Sequence, residues 1–349
     1  MIPDYVHPVL LKTVEKLLDE ICGKKGSSTK KVLPFPRIVP TPDRAWPTQC
    51  HWLHPSDNQP DCERSTTQVM ATVNATPDSF SDGGVHDRLS VALSYISSSI
   101  YAGATIIDIG GYSTRPGAAF VSVEDEINRV VPIIRAMRDR TFLGGMNHDI
   151  GMASDEVLQR HIETILTTSI SIDTFRWQVA EAAIDAGANC INDVHAFGGP
   201  DSWCPPGEDA GKADEYTINM KAIARKYSVP VILMHSRGDA GSNKDYTTFA
   251  YANDEKGRGA VLEAVRVELG ARVDLVTKGK GGVRRWLVIV DPGIGFSKTT
   301  EGNLELLRSA KEVAGNTIIG NRRFFFIALV CRQLIPIHHL LQLRSSGIR

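Results

Sequence analysis

Val69-Met70-Ala71-Thr72-Val73-Asn74-Ala75-Thr76-Pro77-Asp78-Ser79-Phe80-Ser81-Asp82-Gly83-Gly84 is an apolar run of strand character that ends in Asn74 and gives way at once to a loop of Pro, Asp, Ser and Gly. Such a loop offers backbone N–H groups and small hydroxyls and can bend close to an anionic ligand. The theme recurs along the chain. Ile106-Ile107-Asp108-Ile109-Gly110-Gly111 runs into Tyr112-Ser113-Thr114-Arg115-Pro116-Gly117-Ala118. Ser171-Ile172-Asp173-Thr174, Cys190-Ile191-Asn192-Asp193, Val231-Ile232-Leu233-Met234-His235 and Val288-Ile289-Val290-Asp291-Pro292-Gly293 repeat it. Six apolar strands each deliver a polar residue at the C-terminal end.

Helical patterns separate these strands, at 87–101, 122–139, 175–186, 215–227, 253–275 and 302–314. Alternating strands and helices predict an α/β domain on a parallel sheet. Polar loops at the C-terminal ends of such strands are how a (β/α)8 barrel carries its chemistry. Two insertions interrupt the rhythm, at 140–168 and 198–214, and both read as surface elaborations. Before the first strand, residues 5–22 place Leu10, Val14, Leu17, Leu18 and Ile21 at helical spacing among Lys12, Glu15, Lys16 and Asp19. Seven prolines between residues 23 and 65 preclude long regular elements there, so that stretch reads as a linker.

Composition narrows the function classes. Across 349 residues, 42% hydrophobic and 23% charged content is ordinary for a globular protein of one large domain plus an appendage. The formal net charge of −1 gives no global pull toward nucleic acid or acidic membranes. The six cysteines contain no C-x-x-C pair and read as reduced thiols rather than as a zinc site or disulfide frame. The longest apolar run, Phe324 to Cys331, is far short of the roughly 20 residues a membrane-spanning helix needs. Neither a secretory signal nor an Arg- and Ser-rich leader opens the chain, so the expected compartment is the cytosol, with the mitochondrion as the alternative.

The strings VNATPDSFSDGG, GGYSTRPGA, SIDT, IND and DPGIGF, in this order over residues 66–316, resemble dihydropteroate synthase, the pterin-binding barrel of folate synthesis. The resemblance implies a TIM-type (β/α)8 barrel. It also implies a reaction in which p-aminobenzoate displaces pyrophosphate from a 6-hydroxymethyl-dihydropterin pyrophosphate. VHPVLLKTVEKLL resembles the tail of the pyrophosphokinase module that precedes the barrel in fungal folate enzymes; an ordinary N-terminal helix is the other reading. The expected division is a helix at 1–22, a linker at 23–65, the barrel at 66–320 and a divergent tail at 321–349. A homodimer, or that preceding module, is the macromolecular partner implied; neither nucleic acid nor membrane is expected.

The site residues follow from this resemblance. Asp173, Asn192 and Asp291 occupy the family's pterin-gripping positions, where carboxylate and amide oxygens suit a ring edge rich in N–H donors. Asp173 would also favour a cationic transition state. Read without the family, the three are strand-end residues that could equally cap the following helices. Arg115 would bind pyrophosphate bidentately and act in catalysis, with the Thr114 hydroxyl beside it; its alternative is a solvated loop arginine. Pro116 and Phe296 would flank the aryl amine. Asn74 resembles the metal-contacting asparagine, an oxygen ligand for Mg2+. His235 reads equally as a core histidine or a ligand contact.

The resemblance fails after residue 316. The family continues with a seventh strand ending in Gly-x-Ser-Arg-Lys, and later an Arg-x-His on an eighth. This chain reads Thr317-Ile318-Ile319-Gly320-Asn321-Arg322-Arg323-Phe324, and neither motif is present. Arg323 is no substitute for the compact lysine head. An incomplete barrel after the seventh strand is therefore expected, with unpaired edges. The leading reading is a dihydropteroate synthase, and the second is a pterin-binding or scaffold remnant without turnover. A folate-dependent methyltransferase on a related barrel would have no use for the S-T-R-P-G-A grip.

Overall fold

The computed structural model describes residues 69–76, 85–113, 118–145, 155–200, 202–203, 215–246 and 259–309, together with short strands at 318–319, 322–323 and 325–326. The helix read at 5–22, the linker at 23–65 and most of the 198–214 loop lie outside these residues, as do Thr114, Arg115 and Pro116.

Six parallel strands form in chain order: β1 (Met70–Asn74), β2 (Ile106–Gly110), β3 (Ser169–Asp173), β4 (Cys190–Asp193), β5 (Val231–Met234) and β6 (Val288–Asp291). Each pairs with the next in sequence. Every residue of β2, β4, β5 and β6 is buried, the signature of parallel strands covered on both faces. This is why they read as unbroken apolar runs rather than as alternating ones.

The covering layer contains α1 (Val85–Tyr101), α2 (Val123–Arg138), α3 (Arg140–Gly145), α4 (Asp155–Thr167), α5 (Trp177–Ala186), α6 (Glu215–Tyr227), α7 (Ala260–Thr277) and α8 (Thr300–Arg308). Their ends are set locally. Ser122 caps α2 by accepting the Asp125 N–H at 3.0 Å, with Glu124, Asp125 and Glu126 in the first turn and Arg135 and Arg138 in the last. Gly187, at φ 119°, closes α5 in the left-handed region. The stretch 140–168 is more than a surface elaboration, because α4 buries Ile162 and Ile165 in the main core. No helix among the described residues is long and apolar enough to cross a membrane.

The seventh position differs from the sequence expectation. β7 (Ile318–Ile319) pairs antiparallel with β8 (Arg322–Arg323), and β9 (Phe325–Phe326) lies parallel beside β6. Phe325 faces Ile289 in register and Phe326 faces Val290, so the sheet-edge slot is filled inside the segment read as the divergent tail. Among the described residues, β1 and β9 are the two ends of the sheet and do not pair.

Arg138 fastens the end of the sheet opposite the strand C-termini. Its guanidinium donates to the carbonyls of Gly187, Leu166 and Thr168 and to the Asn189 side-chain oxygen, at 2.8–3.1 Å. Burial pushes its pKa down to about 10. One side chain thus satisfies the last turn of α4, the start of β3 and the α5–β4 turn. Arg138→Leu should strip all four acceptors and lower stability by about 3 kcal/mol or more. Urea denaturation measures this, and Arg138→Lys, which keeps a donor, should lose less.

Candidate active site

Strand register explains how the polar residues meet. Asn74 stands opposite Gly110, Gly110 opposite Asp173, and Asp173 opposite Asn192, so these four form one row across β1–β4. Side chains alternate between faces with period two. Asp108 shares the face of Gly110, and Asp291, two residues beyond Ile289, shares the face of Ile232 and Asn192. Asn74, Asp108, Asp173, Asn192 and Asp291 therefore project to the same side of the sheet at its C-terminal end. Asp193 projects to the other side. There its two oxygens accept the His195 and Phe197 N–H groups at 2.7 and 3.0 Å and hold a turn in which Ala196 and Phe197 take positive φ. That is a structural role.

Within the ring, Asp108, Asp173, Asn192 and Asp291 are each 5% exposed or less. The Asn192 amide donates to both oxygens of Asp108 at 3.3 Å. Its own Oδ1 is buried and has no hydrogen-bond partner among the described residues, and the same holds for Ser171 Oγ one turn of the pleat deeper. A buried acceptor left open is costly unless a ligand completes it. Burial pushes the Asp291 carboxyl up to about 7, and Asp108 adds to the rise; its Oδ1 accepts the Gly293 N–H at 2.8 Å. Asp108 was not singled out from sequence as a site residue, since it sits mid-run between isoleucines; its open Asn192 partner is visible only in the fold.

Three further charged residues join the site from far in sequence. Lys298 is 4% exposed and donates to His235 Nδ1 at 3.1 Å and to the carbonyls of Gly293 and Phe296 at 2.9 Å each. His235 Nε2 donates to Glu268 at 2.9 Å, and Arg237 Nε donates to both Glu268 oxygens at 3.0 and 3.1 Å. Burial and the nearby Lys298 charge push His235 down to about 4. At neutral pH the imidazole is thus neutral, accepting from the lysine and donating to the glutamate. Burial alone would raise Glu268, but hydrogen bonds from His235 and Arg237 hold it at about 2. His235 is a satisfied core histidine, the first of its two sequence readings.

An aromatic wall stands beside the ring. Tyr112 meets Phe175 edge-on at 5.7 Å between centroids, and Phe175 meets His195 at 5.4 Å. The Arg176 guanidinium lies over the Tyr112 ring at 4.6 Å and pairs with buried Glu126 at 2.9 Å. This packing fixes the chain at Tyr112, two residues before Thr114. Phe296 is half-buried in the β6–α8 loop.

Asn74 is half-buried at the end of β1. Among the described residues no group of three or more His, Cys, Asp or Glu could hold a metal ion. A lone neutral amide oxygen fits Mg2+, which keeps most of its waters, and does not fit zinc.

The histidine network gives a pH signature. A folded-state pKa below the ordinary 6.5 means that His235 contributes stability fully present above pH 6.5, lost as pH falls toward 4. Denaturant melts between pH 7 and 4 should show this decline. His235→Asn should lower stability at pH 7 and flatten the slope over the same interval.

Comparison with known proteins places this arrangement. The family model described as pterin binding enzyme matches residues 70–144 and 155–326. The chain is 36% identical over 266 residues to the dihydropteroate synthase of Clostridium beijerinckii, covering 75% of this chain and 77% of that protein. It is 34% identical over 310 residues to the folic acid synthesis protein of Pneumocystis carinii; this covers 89% of this chain, which spans only about a third (33%) of that relative's length. Among solved structures, the dihydropteroate synthase of Clostridium difficile, crystallised in the presence of pteroic acid, aligns with a TM-score of 0.50 and 29% identity over 71% of this chain and 72% of that one. With the family model covering well over half its length, the chain belongs to the pterin-binding enzymes and, among them, to the dihydropteroate synthases, transferases of folate biosynthesis.

Proposed function

We propose that the ring of strand-end oxygens grips a dihydropterin and that this chain condenses its pyrophosphate ester with p-aminobenzoate. The amine nitrogen bonds to the exocyclic carbon, the carbon–oxygen bond to pyrophosphate breaks, and the amine releases a proton. The observation that carries this reading is the open Asn192 Oδ1 among Asp108, Asp173 and Asp291. An acceptor-rich, dry floor of this kind complements a heterocycle edge that is rich in N–H donors.

Each residue then has a role. Asp173, Asn192 and Asp291 accept ring and exocyclic N–H groups, and Asp108 orients the Asn192 amide. The carboxylate charge of Asp173 favours the positive charge that develops on the pterin as pyrophosphate departs. Arg115 and Thr114, outside the described residues, are assigned the pyrophosphate grip, and Pro116 with Phe296 the aryl-amine slot. Asn74 would hold Mg2+, which would neutralise the departing diphosphate. The similarity to the Pneumocystis carinii folic acid synthesis protein, about a third (33%) of whose length this chain spans, supports a preceding pyrophosphokinase module as partner; a homodimer and a cytosolic or mitochondrial location belong to the same reading.

The test is p-aminobenzoate-dependent pyrophosphate release by the purified chain with Mg2+ and the pterin pyrophosphate. Asp173→Asn should lower turnover by about 10²-fold. Asn192→Leu should weaken pterin binding by about the same factor, because it removes the inward-facing amide oxygen together with its donation to Asp108. Saturable pterin binding with no release from the wild-type chain would instead select the remnant reading, which the replacement of Ser-Arg-Lys by the Gly320–Phe324 sequence favours.

A further inference from the structure

The loop from Asp291 to Lys298 is held in an unusual shape. Gly293, Gly295 and Ser297 all take positive φ, at 68°, 87° and 49°. Gly293 approaches β5 so closely that a Cβ there would lie 2.0 Å from the His235 carbonyl oxygen. Two glycines meet the backbone demand without strain, but Ser297 does not. Something must therefore hold the arc in place against its own preference.

Its braces are side chains reaching backbone groups. Asp291 accepts the Gly293 N–H and Asn303 accepts the Gly295 N–H, each at 2.8 Å. Ser297 Oγ accepts the Arg237 N–H at 3.2 Å and donates to the Asp239 carbonyl at 3.1 Å. Ile294 is buried in the satellite cluster formed with α7 and α8. The central brace is Lys298, which spends all three ammonium protons on Gly293 O, Phe296 O and His235 Nδ1. Two of those bonds fall on the two ends of the turn that carries Phe296, and the third ties the turn to β5.

Burying an ammonium this deeply is expensive, and an apolar side chain would fill the same space at lower cost. What the ammonium adds is direction: three fixed donors aimed at three acceptors. We propose that Lys298 is a positioning residue for the aryl-amine half of the site, fixing the Gly293–Phe296 turn from its His235 anchor so that the Phe296 ring stands where the amine must enter. Resting on the assignment of Phe296 to the aryl-amine slot, the inference concerns presentation of that ring; strand register alone sets Asp173 and Asn192, while Asp291 shares the turn through the Gly293 N–H.

Initial rates with each substrate varied, for wild type, Lys298→Met, Lys298→Arg, Asn303→Ala and Phe296→Ala, test this. Lys298→Met should raise KM for p-aminobenzoate by about tenfold and KM for the pterin pyrophosphate by a clearly smaller factor, felt through Asp291. Lys298→Arg should fail to rescue, because a planar fork cannot reach the same three acceptors. Asn303→Ala removes a brace of the same turn from a half-buried helix position, so it reports on the turn even where Lys298→Met does not fold. It should raise the same KM by a smaller factor. Equal losses for both substrates, tracking the thermal melt, would mark Lys298 as merely structural and overturn the inference. A Phe296→Ala effect on the aryl-amine KM with none from Lys298→Met or Asn303→Ala would overturn the inference and leave the site assignment standing. No effect from Phe296→Ala would remove the assignment and the inference together.

Discussion

Four carboxylates, Asp108, Asp173, Asp193 and Asp291, are buried at one end of a parallel sheet, and accommodating them there governs much of the local structure. Charge of one sign at this density cannot persist in a dry site without relief. The sheet supplies relief in three ways. The pleat sends Asp193 to the opposite face, where backbone N–H groups satisfy it. A neutral amide, Asn192, is placed against Asp108. The Lys298 amine, pushed down to about 7 by burial, stands near Asp291, whose carboxyl is pushed up to about 7 by burial, and each draws the other back toward its charged form. The remaining unsatisfied capacity, Asn192 Oδ1 above all, is what a ligand can use.

The network behind Lys298 spreads that compensation outward. Lys298, neutral His235, Glu268 and Arg237 form one hydrogen-bonded file from the site to helix α7. Arg237 is fully buried and lies 3.6 Å from the Tyr246 ring centroid, so the file ends in an aromatic contact rather than in water. A cation stands at each end of it, with neutral His235 and the Glu268 carboxylate between them. A site that must hold several carboxylates therefore carries its counter-charges, Lys298 and Arg237, in the buried loops beside it, where salt does not screen them.

Much of this was legible in the chain itself. Strands covered on both faces must be continuously apolar, so the six strands and their polar ends stood out, and with them Asp173, Asn192 and Asp291. Asp108 did not, because a single carboxylate inside Ile106-Ile107-Asp108-Ile109 carries no local sign of whether it faces the site. Lys298 and Glu268 were invisible for a different reason: their partners lie 63 and 33 residues away from them, at His235. The helix at 155–167 hid inside a stretch longer than a usual strand–helix connection. Ile318–Ile319 looked like the seventh strand because it is apolar and follows a helix. It instead pairs with Arg322–Arg323, and the two phenylalanines further on take the edge of β6.

The order of the sheet is the order of the chain, with no strand inserted between earlier neighbours. The row from Asn74 to Asn192 closes within the first four strands, whereas Asp291 and Phe296 arrive with the sixth. The pterin-facing set therefore spans early and late units, whereas the aryl-amine side belongs to the late ones. A change confined to the late units reaches the aryl-amine side through Phe296 and the pterin through Asp291 alone, leaving the row from Asn74 to Asn192 untouched.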